Sequence, residues 1–146
     1  MISISETLEN LKRKGAMMSN DEFVVKDSGE RQQFDTGAKR DTRTGKGRFD
    51  LISPIMLRRL AVLMEKGAVK YGPRNWEKGL PQSRVRDSAL RHINNYREGL
   101  RDEDHVIQAI FNLMAIVHQE ELCKAGLLPK ELLDLPSYAV TVQQEK

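Results

Sequence analysis

The stretch VIQAIFNLMAIV, residues 106–117, constrains this chain more than any other, because it is apolar nearly all round a helical turn and is interrupted mainly by Gln108 and Asn112. A helix with apolar residues on every side has to be covered on every side, which puts it at the centre of a bundle. The pattern predicts this central helix over about Glu103 to Lys124, with Gly126 ending it. It does not predict a membrane span. No uninterrupted apolar run is longer than Leu113 to Val117, whereas a spanning helix needs roughly 20 such residues. The N-terminal MISISETLENLKRKG also lacks the apolar region of an export signal. The expectation is a soluble, cytoplasmic protein.

Two further helices have their own punctuation. Ser53-Pro54 offers an N-cap with proline at the first helical position, Leu57, Leu60, Ala61, Met64, Ala68 and Tyr71 then mark one face, and Gly72-Pro73 stops the helix. Ser83 is the expected cap of the next helix, with Val85, Ala89, Ile93 and Tyr96 on one side and Gly99 just past its end. Pro129 restarts a short turn through Leu133. Near the N-terminus, Ser3 and Glu6 have capping-box spacing, and Ile4, Leu8 and Leu11 recur helically before Gly15. From Met17 to about Arg48 the sequence is polar and without sustained period, and no alternating strand pattern with hairpin signals is present. The expected fold is all-α: a bundle of three main helices plus short terminal helices, completed by homo-oligomerisation through its broad apolar surfaces. Residues 1–48 form an N-terminal helix and polar basic arm, 49–126 the helical core, and 127–146 a short turn and tail.

Charge is local rather than global. The net charge is only +3, with 31% charged and 39% apolar residues, too weak a balance to announce a nucleic-acid binder. Yet Lys39, Arg40, Arg43, Lys46 and Arg48 crowd one window, so an anion would be met there. The single cysteine, Cys123, cannot form an internal disulfide and reads as a small apolar residue on a helix. Two motif fragments fail on context. Asp35-Thr36-Gly37-Ala38 spells an aspartic-protease sequence, but that chemistry needs a β framework. Thr44-Gly45-Lys46-Gly47 resembles the end of a P-loop, but Arg40 replaces its first glycine and Gly47 its metal-binding hydroxyl.

The residues able to carry chemistry are acids near helix junctions. At about 100° per residue, Glu65 flanks the apolar face of the first main helix, and His92 flanks that of the second beside Arg91. Asp87 projects nearer the polar side and also suits a solvated first-turn acid. Asp102-Glu103-Asp104-His105 heads the central helix, and three acids exceed what capping needs. Acids converging from several helices are how α-folds hold hard cations, so Mg²⁺ with phosphate matches better than zinc; His92, His105 and His118 never fall four apart on one helix. The stretch GAVKYGPRNWEKG, residues 67–79, puts Tyr71 and Trp76 among glycine, proline and charge. Either ring could cover a flat base, Asn75 could read its edge, and Lys70 and Arg74 could meet phosphate, as could Lys46 and Arg48. Alternatively, Trp76 is a lid on the helix junction.

Taken in order, GAVKYG, NWEKG, RVRDSALRH and DEDH followed by Asn112 resemble the phage-type dATP/dGTP diphosphohydrolases, a MazZ-like branch of the MazG-like all-α nucleoside triphosphate pyrophosphohydrolases. The resemblance spans about residues 38–121. It implies Mg²⁺-dependent cleavage, with Mn²⁺ able to substitute, of a purine deoxynucleoside triphosphate between its α- and β-phosphates. It also implies a homodimer or homotetramer in a host cytoplasm, serving nucleotide-pool control or modified-base metabolism. Carried onto this chain, the metal-side candidates are Glu65, Asp87, Glu103 and Asp104, with His92 and Asn112 in support and Arg91 on the substrate side. The wider superfamily uses E-x-x-E and E-x-x-D helices; here Ala68 and Arg84 interrupt those spacings. The competing expectation is a non-catalytic module that binds nucleic acid or a partner through the basic arm and Trp76.

Overall fold

The computed structural model describes residues 24–137, so the helix expected after Ser3 and the end of the C-terminal tail lie outside the described residues. The chain divides into two units, Met1–Phe49 and Asp50–Lys146.

The first unit corrects the expectation of an arm without strands. Arg31–Gln33 (β1) pairs antiparallel with Lys39–Asp41 (β2), Gln32 opposite Arg40. The turn between them explains why. The Phe34 N–H donates to the Ala38 carbonyl at 2.9 Å and the Gly37 N–H to the Phe34 carbonyl at 2.8 Å, while Gly37 sits at φ 83°. A three-residue loop whose last residue is left-handed carries the twist that joins two antiparallel strands, and glycine adopts that φ without a Cβ penalty. The tetrapeptide that spells a protease motif is therefore a hairpin turn. Its strands show no apolar alternation because both of their faces are exposed, apart from half-buried Asp41.

The second unit holds three helices, Pro54–Tyr71 (α1), Gln82–Arg97 (α2) and His105–Lys124 (α3), with single 3-10 turns at Asn75–Lys78 and Lys130–Leu132. Among the described residues, helix dominates and the hairpin is the only sheet, so the all-α class holds. Ser53 caps α1 by accepting from the Met56 N–H at 3.2 Å. The cap expected at Ser83 is absent. Pro81 opens α2 with its fixed φ, which moves Ser83 into the first turn, where its N–H is an orphan donor. Asp134 meets it from the C-terminal segment, accepting from the Ser83 N–H at 2.7 Å and from its hydroxyl at 2.5 Å. Gly79 makes room for that segment: it sits at φ 100°, and a Cβ there would lie 2.6 Å from the Leu132 side chain. At the far ends of α2 and α3, Leu100 and Leu127 donate back to Asn95 and Leu122, while Gly99 and Gly126 donate to Tyr96 and Cys123. This paired closure satisfies the last carbonyls of each helix.

The core is the seam between α2 and α3. Gln82 reaches Glu120 and His92 reaches His105, so the two helices run antiparallel. Val85 and Ala89 on α2 are buried with Ile107, Ala109, Ala115 and Cys123 on α3, and a fully buried side chain such as Ile107 contributes about 2–3 kcal/mol. The buried face of α2 continues through His92 rather than Ile93, which is exposed along with Tyr96; the partner that His92 finds on α3 explains the shift. On α1 only Leu60 is buried, while Leu57 and Tyr71 are exposed. α3 packs against both other helices, yet Leu113 and Val117 remain exposed, so α1 and α2 leave one side of the central helix open. Gln119 is buried without loss: its side chain accepts from the Leu80 N–H at 2.6 Å and donates to the Leu80 carbonyl at 2.7 Å.

Candidate functional site

A cleft of about 580 Å³ lies between α1 and the start of α3. Arg58, Arg59, Lys66 and Lys70 line it from α1, and Asp102, Glu103 and Asp104 line it from the linker before α3. The cations recur on one side because α1 repeats them at helical spacing, 59-66-70. The acids gather because Gly99 ends α2 and turns the chain back at this point. Asp104 is already engaged. It caps α3 by accepting from the Ile107 N–H at 3.3 Å, and it accepts two bonds from Arg59, at 2.9 and 2.6 Å. The Arg59 guanidinium holds its carboxyl below the ordinary carboxylate value.

A second, smaller pocket of about 180 Å³ opens beside the cleft, and Leu63, Gly67, Tyr71 and Gln108 wall both. Its other walls include Arg74, Asn75, Trp76 and Phe111. Gly72-Pro73 stops α1 and releases the chain into the turn that carries these groups. Trp76 is half-buried rather than loose on the surface: its ring meets Phe111 edge-on at 5.8 Å and His118 at 4.8 Å. It is thus both a lid on α3 and a wall of the pocket. Arg74 stands at φ 59°, a left-handed conformation that costs a non-glycine residue roughly 1–2 kcal/mol, and its guanidinium donates to Glu77 at 2.8 Å. Strain of this kind gathers where a turn must aim its neighbours.

Behind the acids lies a buried pair of histidines. His105 donates from Nε2 to Asp102 at 2.9 Å, which in a neutral ring leaves Nδ1 as an acceptor. The Nδ1 of His92 lies 3.0 Å from it and supplies the proton. Burial, and then the charge of Arg91, push His92 below the ordinary imidazole value; the bond from His105 lowers Asp102 below the ordinary carboxylate value. With Glu103, the two histidines form a group whose ligand atoms all lie within 4.8 Å of one another. Among the described residues, this is the set of three or more side chains able to hold one metal ion.

The residues singled out from the sequence divide accordingly. His92 and the exposed Glu103 belong to the histidine group, Lys70, Asp104 and again Glu103 to the cleft, and Tyr71, Arg74, Asn75 and Trp76 to the pocket. Glu65 and Asp87 are exposed on α1 and α2 and line neither cavity. Arg91 is exposed and donates to Ser88 at 3.3 Å. Asn112 is buried and donates to the Gln108 carbonyl at 2.7 Å, within its own helix. Lys46 lies in the first unit, 3.9 Å from Asp41, and Arg48 lies in that unit too. Sequence reasoning missed His105, Gln108 and Phe111. The available signal was polar or aromatic character at one end of an otherwise aliphatic helix.

Among the described residues, no helix is long and apolar enough to cross a membrane. Comparison with protein-family models gives a match over residues 36–126 to the family described as dATP/dGTP diphosphohydrolase, N-terminal. No curated protein and no solved structure gave a significant match.

Proposed function

The chain belongs to the dATP/dGTP diphosphohydrolase family, and from that premise we propose that it hydrolyses dATP or dGTP between the α- and β-phosphates to the monophosphate and pyrophosphate. The observation that carries this reading is the shared wall of the two cavities: Tyr71 and Gln108 border both a charged cleft and an aromatic pocket. A purine nucleoside triphosphate has the same two-part chemistry, a flat base and a chain of anionic oxygens.

The pocket takes the base. Trp76, packed against Phe111 and His118, offers a face for stacking, and the amides of Asn75 and Gln108 carry paired donors and acceptors for a base edge. The cleft takes the phosphates. Arg58, Lys66 and Lys70 supply charge-assisted hydrogen bonds to the oxygens, while Arg59 remains engaged with Asp104. Water attacks the α-phosphorus, the bond to the bridging oxygen breaks, and pyrophosphate leaves with that electron pair as the water proton passes to an acid lining the cleft. Held near Glu103, a divalent cation, Mg²⁺ or Mn²⁺, would supply charge neutralisation at the phosphate oxygens and a lower pKa for a nearby water. Positioning and electrostatics provide most of the acceleration in such chemistry.

Glu103 is the acid of the expected ligand set that also stands in the buried histidine group. Glu65 and Asp87 would contribute through a second copy of the chain, and the exposed Leu113 and Val117 on α3 support a homodimer or homotetramer. The product would serve nucleotide-pool control or modified-base supply. A panel of deoxy- and ribonucleoside triphosphates incubated with Mg²⁺ tests the reading: monophosphate from purine deoxynucleotides supports it, and triphosphates left intact at high enzyme concentration overturn it.

A further inference from the structure

We propose that His92, His105 and Glu103 form a resident site for a six-coordinate divalent transition-metal ion, separate from the Mg²⁺ that a triphosphate brings with it. The two imidazoles are 4% and 2% exposed, on different helices, and their Nδ1 atoms converge to 3.0 Å. A single proton holds the rings together in that arrangement. When the His92 proton moves to Nε2, both Nδ1 atoms become available as ligands on one side of the pair.

The dimensions suit a particular ion. Two nitrogens 3.0 Å apart subtend an angle of about 90° at an ion with metal–nitrogen distances of about 2.1 Å, the angle of adjacent ligands in an octahedron. A tetrahedral ion would need the rings to open by roughly 0.4 Å. The ligand types agree, since two imidazoles with one carboxylate suit Mn²⁺, Fe²⁺ or Co²⁺, whereas Mg²⁺ takes oxygen. The surroundings agree as well. Asp102 accepts from the Nε2 of His105, the outer partner that fixes a ligating histidine in its tautomer. Glu103 is exposed, so its carboxylate can close the remaining distance. Asp102 and Glu103 also line the charged cleft, so the ion would stand at its phosphate end.

The site itself does not depend on the nucleotide reading, and the test keeps the two apart. Untagged full-length chain is stripped with a chelator, loaded with Mn²⁺ and washed in equimolar Mg²⁺, and the bound manganese is counted by mass spectrometry. Pulsed electron paramagnetic resonance then asks whether the ion senses nitrogen. The expected result is one Mn²⁺ per chain with ¹⁴N coupling, lost in His105→Ala. Asp102→Asn should weaken Mn²⁺ binding about 10- to 100-fold, and circular dichroism confirms that each variant is folded. If His105→Ala fails to fold, Glu103→Gln, changed on the exposed ligand, should bind Mn²⁺ more weakly while its residual ion keeps the nitrogen coupling. Bound Mn²⁺ without nitrogen coupling, or its replacement by equimolar Mg²⁺, overturns the proposal. Nitrogen coupling in a chain that leaves every triphosphate intact would uphold this site and reject the pyrophosphohydrolase reading.

Discussion

Trp76 and His118 lie ring against ring, their centroids 4.8 Å apart and their planes tilted by 59°. The side chain that walls the smaller pocket is therefore anchored on the central helix, next to an imidazole whose Nε2 is buried with no hydrogen-bond partner among the described residues. Trp76→Ala should accordingly do two things. It should lower stability by about 2–4 kcal/mol, since a half-buried tryptophan leaves a partly collapsible cavity, and it should raise KM for purine nucleotides. Urea unfolding and steady-state kinetics on the same variant check both; lost stability with unchanged KM would make the tryptophan structural only.

Gln119 ties α3 to the loop before α2 through both polar groups of Leu80. Gln119→Leu keeps the volume but strands an N–H and a carbonyl. The expected loss is about 2–4 kcal/mol, the lower part of the range for two stranded groups at about 1–3 each, because Leu80 is itself partly exposed. A urea midpoint within experimental error of the parent would show that water replaces the amide.

The Arg59–Asp104 pair is bidentate, yet its side chains are 55% and 37% exposed. Exposure of that order screens the pair, so Arg59→Ala should lower stability only slightly. Its larger effect should be on phosphate binding, because removing Arg59 takes a cation from the cleft and leaves Asp104 unpaired. A denaturation curve and a KM measured at two salt concentrations separate these effects.

Asp134 provides a pH dependence of known sign. The Ser83 hydroxyl and then its N–H hold the carboxyl below its ordinary value of 3.8. A folded-state value below the unfolded one means that the contribution is fully present above about pH 3.8 and is lost as pH falls through the lower, folded value. Melting temperatures from pH 6 to pH 2.5 should therefore fall more steeply for the parent chain than for Asp134→Asn.

What the sequence made legible follows from the range of each signal. Ser53-Pro54, Gly72-Pro73, Gly99 and Gly126 punctuate helices through local geometry, and the three helices stand where those signals put them. The hairpin was missed because its strands bury nothing, so no alternation was selected; only the Asp35-Thr36-Gly37 turn carried a signal. The cap of α2 was misread because its acceptor, Asp134, is remote in sequence. For the same reason the histidine pair could not be found by looking for ligands one turn apart on a single helix. His92 and His105 meet across two helices, and only the antiparallel packing of α2 on α3 brings them together. The grouping of Tyr71, Arg74, Asn75 and Trp76 around one pocket was legible because Tyr71 ends α1 and the short turn after it carries the other three.

The most direct test of the central claim is hydrolysis of dGTP with Mg²⁺ in ¹⁸O-labelled water, with the products separated and weighed. Attack at the α-phosphorus predicts dGMP carrying one ¹⁸O and unlabelled pyrophosphate. Formation of dGDP with labelled inorganic phosphate, or labelled pyrophosphate beside unlabelled dGMP, would contradict it.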